Sequence, residues 1–185
     1  MTHDTTANTT FGFWLYLLTD CILFGTFFAT YLVLQNGTFG GPTPKEIFHL
    51  PYALTETLLL LGSSIACGLA LTHTLKRTIF LWLAPSFLLA AVFVFLGFSE
   101  LASLALSGKG PQVSAFLSAY FTLIGVHGLH VVVGLLLMLF FGLQLWQEGR
   151  TPRVLRRLTC LKMYWHFLYL IWIFTFAFVY LMGAK

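Results

Sequence analysis

The chain has 185 residues, 58% of them hydrophobic and only 9% charged. A soluble domain carries about 25% charged residues, so a water-facing surface is excluded and the chain reads as one integral membrane domain. The formal net charge of +4 does not mark a nucleic-acid partner, because the basic residues fall between apolar runs.

The polar start, Met1–Thr10, reads as a short disordered tail. The first apolar run is too long for a signal sequence and lacks a small-residue cleavage site, so no cleavable signal peptide is expected. The membrane domain is then 11–185. Its first span is 11–34, with Asp20 inside it and Gly25 and Ala29 as a small-residue pair suited to close helix packing. Residues 35–51 contain NGTFGGPTP and read as a loop. The second span, about 52–75, has Glu56 near its start and a small-residue face of Gly62, Ser63, Ser64, Ala66 and Gly68. A turn with Lys76 and Arg77 leads to the third span, about 78–107, with Pro85 near its start and Glu100 near its end. The fourth span, 114–146, has no Asp, Glu, Lys or Arg, and carries His127 and His130 among Gly125, Gly128 and Gly134. The basic stretch 147–159 leads to the fifth span, about 160–182, which opens with Lys162, Trp165 and His166. The expected fold is all-α, with five transmembrane helices. Cys21, Cys67 and Cys160 form no CxxC and no even disulfide framework, so they read as packing residues.

Orientation follows from Lys and Arg. The side shared by the N-terminus, the second-to-third turn and the fourth-to-fifth loop holds seven: Lys76, Arg77, Arg150, Arg153, Arg156, Arg157 and Lys162. The other side holds three: Lys45, Lys109 and Lys185. The N-terminus is therefore expected in the cytoplasm and the C-terminus outside.

Asp20 lies about 14 Å into its span at 1.5 Å per residue. A carboxyl at that depth is either protonated or paired, and is a candidate functional group. Glu56 and Glu100 sit near the outer ends of their helices, where interfacial or capping roles are expected, with pairing through water or with Lys109 as the alternative. His127 and His130, three apart, share one helix face. Two histidines on one face cannot hold a haem between helices. A three-histidine metal site with His166 lacks a completing carboxylate or thiolate. Hydrogen bonds to neighbouring helices or lipid are the expected use of these rings, and neither metal nor haem is expected on this chain. Arg156, Arg157, Lys162, Trp165 and His166 together form an interfacial cluster suited to an anionic lipid headgroup. The expected site is a cleft between spans one and two, packed together, and spans three to five. No nucleophile–base pair or phosphate loop is present, so no catalytic residues are assigned.

Several stretches, in order, resemble subunit III of haem–copper terminal oxidases. GVHGLHVVVG resembles the family's histidine–glycine signature, YWHFLYLIWIFTFAFVYL its last helix, and FGFWLYLLTDCILFGTFFATY its first common helix, with Asp20 as the membrane carboxylate. NGTFGGPTPKEIFHLPYALTETLLLLGSS is similar to the bo-type ubiquinol oxidase branch, and five helices rather than seven point the same way. Asp20, Glu56, Glu100, His127, His130 and His166 match. Tyr169 stands where an aspartate is usual, and Gly97 where bo-type relatives often carry an acid. The resemblance implies a non-catalytic subunit of a quinol oxidase in a bacterial inner membrane. It would stabilise subunit I and bind phospholipid, with the haems, the copper and the proton pumping in subunit I. The same subunit of a cytochrome c oxidase is an alternative. A small transporter would need inverted repeats and broken helices, and neither is read here.

Overall fold

The computed structural model describes residues 5–48, 50–73 and 75–183. It is all-helical, with no strand among the described residues. The elements are α1 (Thr5–Leu34), a short α2 (Pro44–Ile47), α3 (Leu50–Ala70), α4 (Lys76–Leu106), α5 (Ala115–Glu148) and α6 (Pro152–Thr175). The chain then continues through a π-helical segment, Phe176–Leu181. Among the described residues, five of these helices are long and apolar enough to cross a bilayer.

Two boundaries differ most from expectation, while α3 also ends five residues early at Ala70 and Lys76 and Arg77 open α4 rather than sit in a turn. Residues 5–10, expected as tail, are the first turns of α1. Once a helix is nucleated, each added residue gains a backbone hydrogen bond at little cost. In addition, Thr9 lies against α6 in a shared groove. The basic stretch expected as a loop is mostly helix, because α6 begins at Pro152. Thr151 caps it, accepting from the Val154 N–H at 3.3 Å, and proline at the first helical position is pre-set for the turn. Hydropathy misses such a start because Arg153, Arg156 and Arg157 break the apolar run while remaining good helix formers. The real break lies at Gly149, whose φ of +71° is cheap only for glycine.

The long loop after α1 also folds inward. Ile47 and Phe48 are buried, and the Phe48 ring packs on Phe116, Tyr120 and Tyr180. This loop closes one end of the bundle.

Helices α3 and α4 form the closest pair, and α5 packs on α4, α6 and α1. Reciprocal bonds join α3 to α4: Ser63 Oγ donates to the Ser86 carbonyl at 2.7 Å, and Ser86 Oγ to the Ser63 carbonyl at 2.8 Å. Small residues allow this approach, and in lipid, helices associate through packing and such polar bonds. Helix α1 packs on α5 and α6 rather than on α3. The expected pairing of spans one and two, with a cleft separating them from the rest, is therefore corrected. The inward stripe of α1 is Leu17, Asp20, Phe24 and Tyr31, whereas a side chain at Gly25 would meet open space. The outward face of α1 carries Phe11, Trp14, Leu15, Leu18 and Ile22.

Candidate functional site: polar groups inside the bundle

The central histidine of α5 is held by rings. His127 is fully buried, with Phe24, Phe93 and Trp172 at ring-centroid distances of 6.1, 6.0 and 5.2 Å. Neither of its nitrogens has a hydrogen-bond partner, which corrects the expectation of a bond to another helix. His130 does bond, but within its own helix, through Nδ1 to the Val126 carbonyl at 2.8 Å. The Tyr164 hydroxyl donates to the His130 carbonyl at 2.9 Å and ties α6 to α5. His166 lies on the other flank of α6, where Nδ1 is 2.9 Å from Ser64 Oγ of α3. The three histidines therefore do not converge, and no cluster of three metal-ligating side chains occurs among the described residues.

Trp165 was expected at the interface and is instead in the core. Its exposure is 1%, and its indole N–H donates to Ser63 Oγ at 2.9 Å. Because α6 starts two turns earlier than expected, Trp165 sits several turns inside the helix and faces α3 and α5. Gly134 is the reason it fits, since a Cβ there would lie 2.5 Å from the Trp165 ring. Of the three glycines of α5 read as packing points, Gly134 alone serves that purpose. Gly125 and Gly128 border open space.

The carboxyls separate by environment. Asp20 is 8% exposed and its Oδ2 has no hydrogen-bond partner. Its neighbours are the phenols of Tyr16, one turn earlier, and Tyr164 of α6. Glu56 is fully buried, and both of its oxygens lack partners. The expected interfacial or capping role is therefore corrected for Glu56: the chain before α3 folds over the bundle end as Phe48, which removes headgroup water. Glu56 Oε1 lies where a side chain at Gly97 would touch it, 3.6 Å from the added Cβ. Glu100 is half-buried and lines a polar crevice of about 370 Å³ with Glu46, Tyr52, Ser99, Ser103 and Lys109. Lys109 shares that crevice, as the alternative reading of Glu100 allowed.

Sequence reasoning missed the buried hydroxyls. Tyr120 and Tyr180 meet at 3.1 Å between their oxygens, both in the core. The Tyr31 hydroxyl is buried without a partner. Only the position of these tyrosines on inward helix faces could have signalled them.

The arginines meet elsewhere. Arg153, Arg156 and Arg157 rim a groove of about 440 Å³ between α1, α5 and α6, whose apolar walls include Phe13, Val133, Leu137 and Phe141. Arg157 Nη1 donates to Gln144 Oε1 of α5 at 2.6 Å. Lys162, Trp165 and His166 do not line this groove. Arg153 was read only as part of a loop, although its spacing to Arg156 and Arg157 puts all three on one helix face.

This arrangement defines a polytopic membrane subunit with Asp20, Glu56 and His127 buried inside it and a basic rim at one end of the bundle. The chain belongs to the cytochrome c oxidase subunit III family, whose model matches residues 2–184. It is 51% identical over 185 residues to the cytochrome bo(3) ubiquinol oxidase subunit 3 of Pseudomonas aeruginosa, covering 98% of this chain and 88% of that one. The same-named subunit of Pseudomonas putida is 46% identical over 98% of this chain and 89% of its own length. The quinol oxidase subunit 3 of Bacillus subtilis is 39% identical over 93% of this chain and 86% of its own. The chain is thus a multi-pass membrane subunit III of a haem–copper oxidase.

Proposed function

We propose that this chain is the accessory third subunit of a bacterial quinol oxidase, carrying no redox centre itself and holding subunit I and phospholipid in place. The names of the relatives support a quinol as electron donor. The outward apolar face of α1 supports a contact with a larger membrane partner, for which subunit I is the candidate. The excess of Lys and Arg supports a cytoplasmic N-terminus and a periplasmic C-terminus. Purification of the complex in mild detergent tests the assignment: subunit I should accompany the chain, with its haem spectrum. Recovery of this chain alone, or with unrelated partners, would overturn it.

The observation that carries the lipid role is the groove between α1, α5 and α6. It places three guanidinium groups at the mouth of an apolar slot, the pattern that an anionic phospholipid matches with headgroup and tails. Near the membrane surface each basic residue contributes about 1 kcal/mol toward an anionic lipid. The pair Arg156→Ala and Arg157→Ala should therefore weaken retention by roughly thirtyfold, as read by native mass spectrometry with lipid analysis. Equal retention would remove these arginines from the site.

A further inference from the structure

Glu56 presents an unsolved chemical problem in this fold. It sits in the second turn of α3, has no exposure, and has no hydrogen bond to either oxygen. Burying an ionised carboxylate without a partner is so costly that the group takes up a proton instead. Among the described residues, the groups that act on its charge include no cation. From α4 it faces Glu100 and the backbone of Gly97. The phenols that interact with it are Tyr120 of α5 and Tyr180 of the π-helical segment. His127 lines the far side of Gly97 and interacts with His130 rather than with Glu56. Acids and phenols surround the carboxyl, and a charge on the half-buried Glu100 beside it disfavours a second one on Glu56.

A route to water is also present. Glu100 forms part of the polar crevice, together with Tyr52, Ser99, Ser103 and the ammonium of Lys109. On its inner side Glu100 interacts with the Tyr120 hydroxyl, which meets the Tyr180 hydroxyl at 3.1 Å. Acids and phenols thus line the way from the crevice toward the interior, and because none is hydrogen-bonded to Glu56, the last transfer requires the Glu56 side chain to turn toward them. We infer that Glu56 is a proton-binding site, neutral at rest, which exchanges its single proton with water on the Lys109 side of the membrane through Glu100. In each exchange the Glu100 carboxylate takes the Glu56 proton and releases it to the crevice, then takes one from the crevice and returns it to Glu56, so both acids end as they began and net uptake is zero. Nothing in the assignment to the oxidase family requires this, and the inference stands apart from the lipid proposal.

Infrared spectroscopy of the purified oxidase complex in lipid tests it. At neutral pH the intact complex should show a protonated-carboxyl C=O band that Glu56→Gln removes. Glu100→Gln should keep that band and slow its hydrogen–deuterium exchange by about tenfold or more, because the relaying acid is gone. Glutamine preserves the size of both side chains. If Glu56→Gln does not assemble, Glu56→Asp serves instead, since a band that belongs to residue 56 must shift when that acid is shortened whereas bands from other carboxyls must not. A spectrum unchanged by Glu56→Gln, or without a shifting band, would overturn the proton site. Exchange as fast in Glu100→Gln as in wild type would overturn the route.

Discussion

Trp165→Ala is expected to be the most damaging single truncation in the chain, costing about 3 kcal/mol or more. The estimate sits at the low end for a buried tryptophan because an unfolded membrane helix already lies in lipid, and the usual transfer of apolar surface from water contributes little. What is lost is packing and a bond. The indole fills the space between α3, α5 and α6, opposite Gly134, and its N–H donates to Ser63. Ser63 in turn is bonded to α4 through Ser86. Removing Trp165 therefore opens a cavity where three helices meet and loosens a node that joins all four of α3 to α6. Trp165→Phe keeps most of the volume and loses the N–H bond, so its cost should be about 1 kcal/mol. Unfolding by a titrated denaturing detergent, followed by helicity and by retention in the complex, gives both values. Equal effects of Ala and Phe would mean that the bond, not the packing, carries the node.

The sequence made the number of spans legible, because the apolar runs are long and their charges few. It also pointed to α5 as central and to Asp20 and His127 as inward groups, while His130 is half-buried and His166 exposed. It failed where a local rule was outweighed by a contact distant in sequence. Trp165 looks interfacial beside Lys162 and His166, and only the early start of α6 at Thr151-Pro152 carries it inward. Glu56 looks like a helix-end acid, and only Phe48, folding back over Tyr120 and Tyr180, seals it off. The pairing of α1 with α5 and α6 could not be read from small residues alone, since Gly25 and Ala29 suit any neighbour equally. The arginine groove was half visible: Arg156 and Arg157 stand out as a basic pair, but Arg153 joins them only once α6 is seen to start at Pro152, and the walls come from α1 and α5, which spacing within α6 cannot reveal. The relation between Gly97 and Glu56 was hidden for the same reason, since a glycine gains meaning only when the facing carboxyl is known.

Any side chain at Gly134 is expected to destabilise the subunit, and a contrast within one helix makes this testable. An added Cβ would lie 2.5 Å from Trp165 Cζ3, 3.1 Å from its Cε3 and 3.1 Å from Tyr164 Cε1. Neither ring is a flexible end that can move aside. Trp165 is anchored to Ser63 and Tyr164 to the His130 carbonyl, and both are buried. Gly134→Ala should therefore destabilise the subunit by about 1–3 kcal/mol, the usual range for overpacking, and Gly134→Leu should prevent α6 from docking and the subunit from entering the complex. Gly125→Ala and Gly128→Ala place the same methyl group in open space, so they should be neutral or stabilising by up to about 1 kcal/mol through helix propensity. Combining Gly134→Ala with Trp165→Phe removes the outer ring that clashes, and the pair should be less destabilised than the sum of the two changes, the mark of direct contact. Full additivity in that double-mutant cycle would show that the glycine serves something other than the tryptophan.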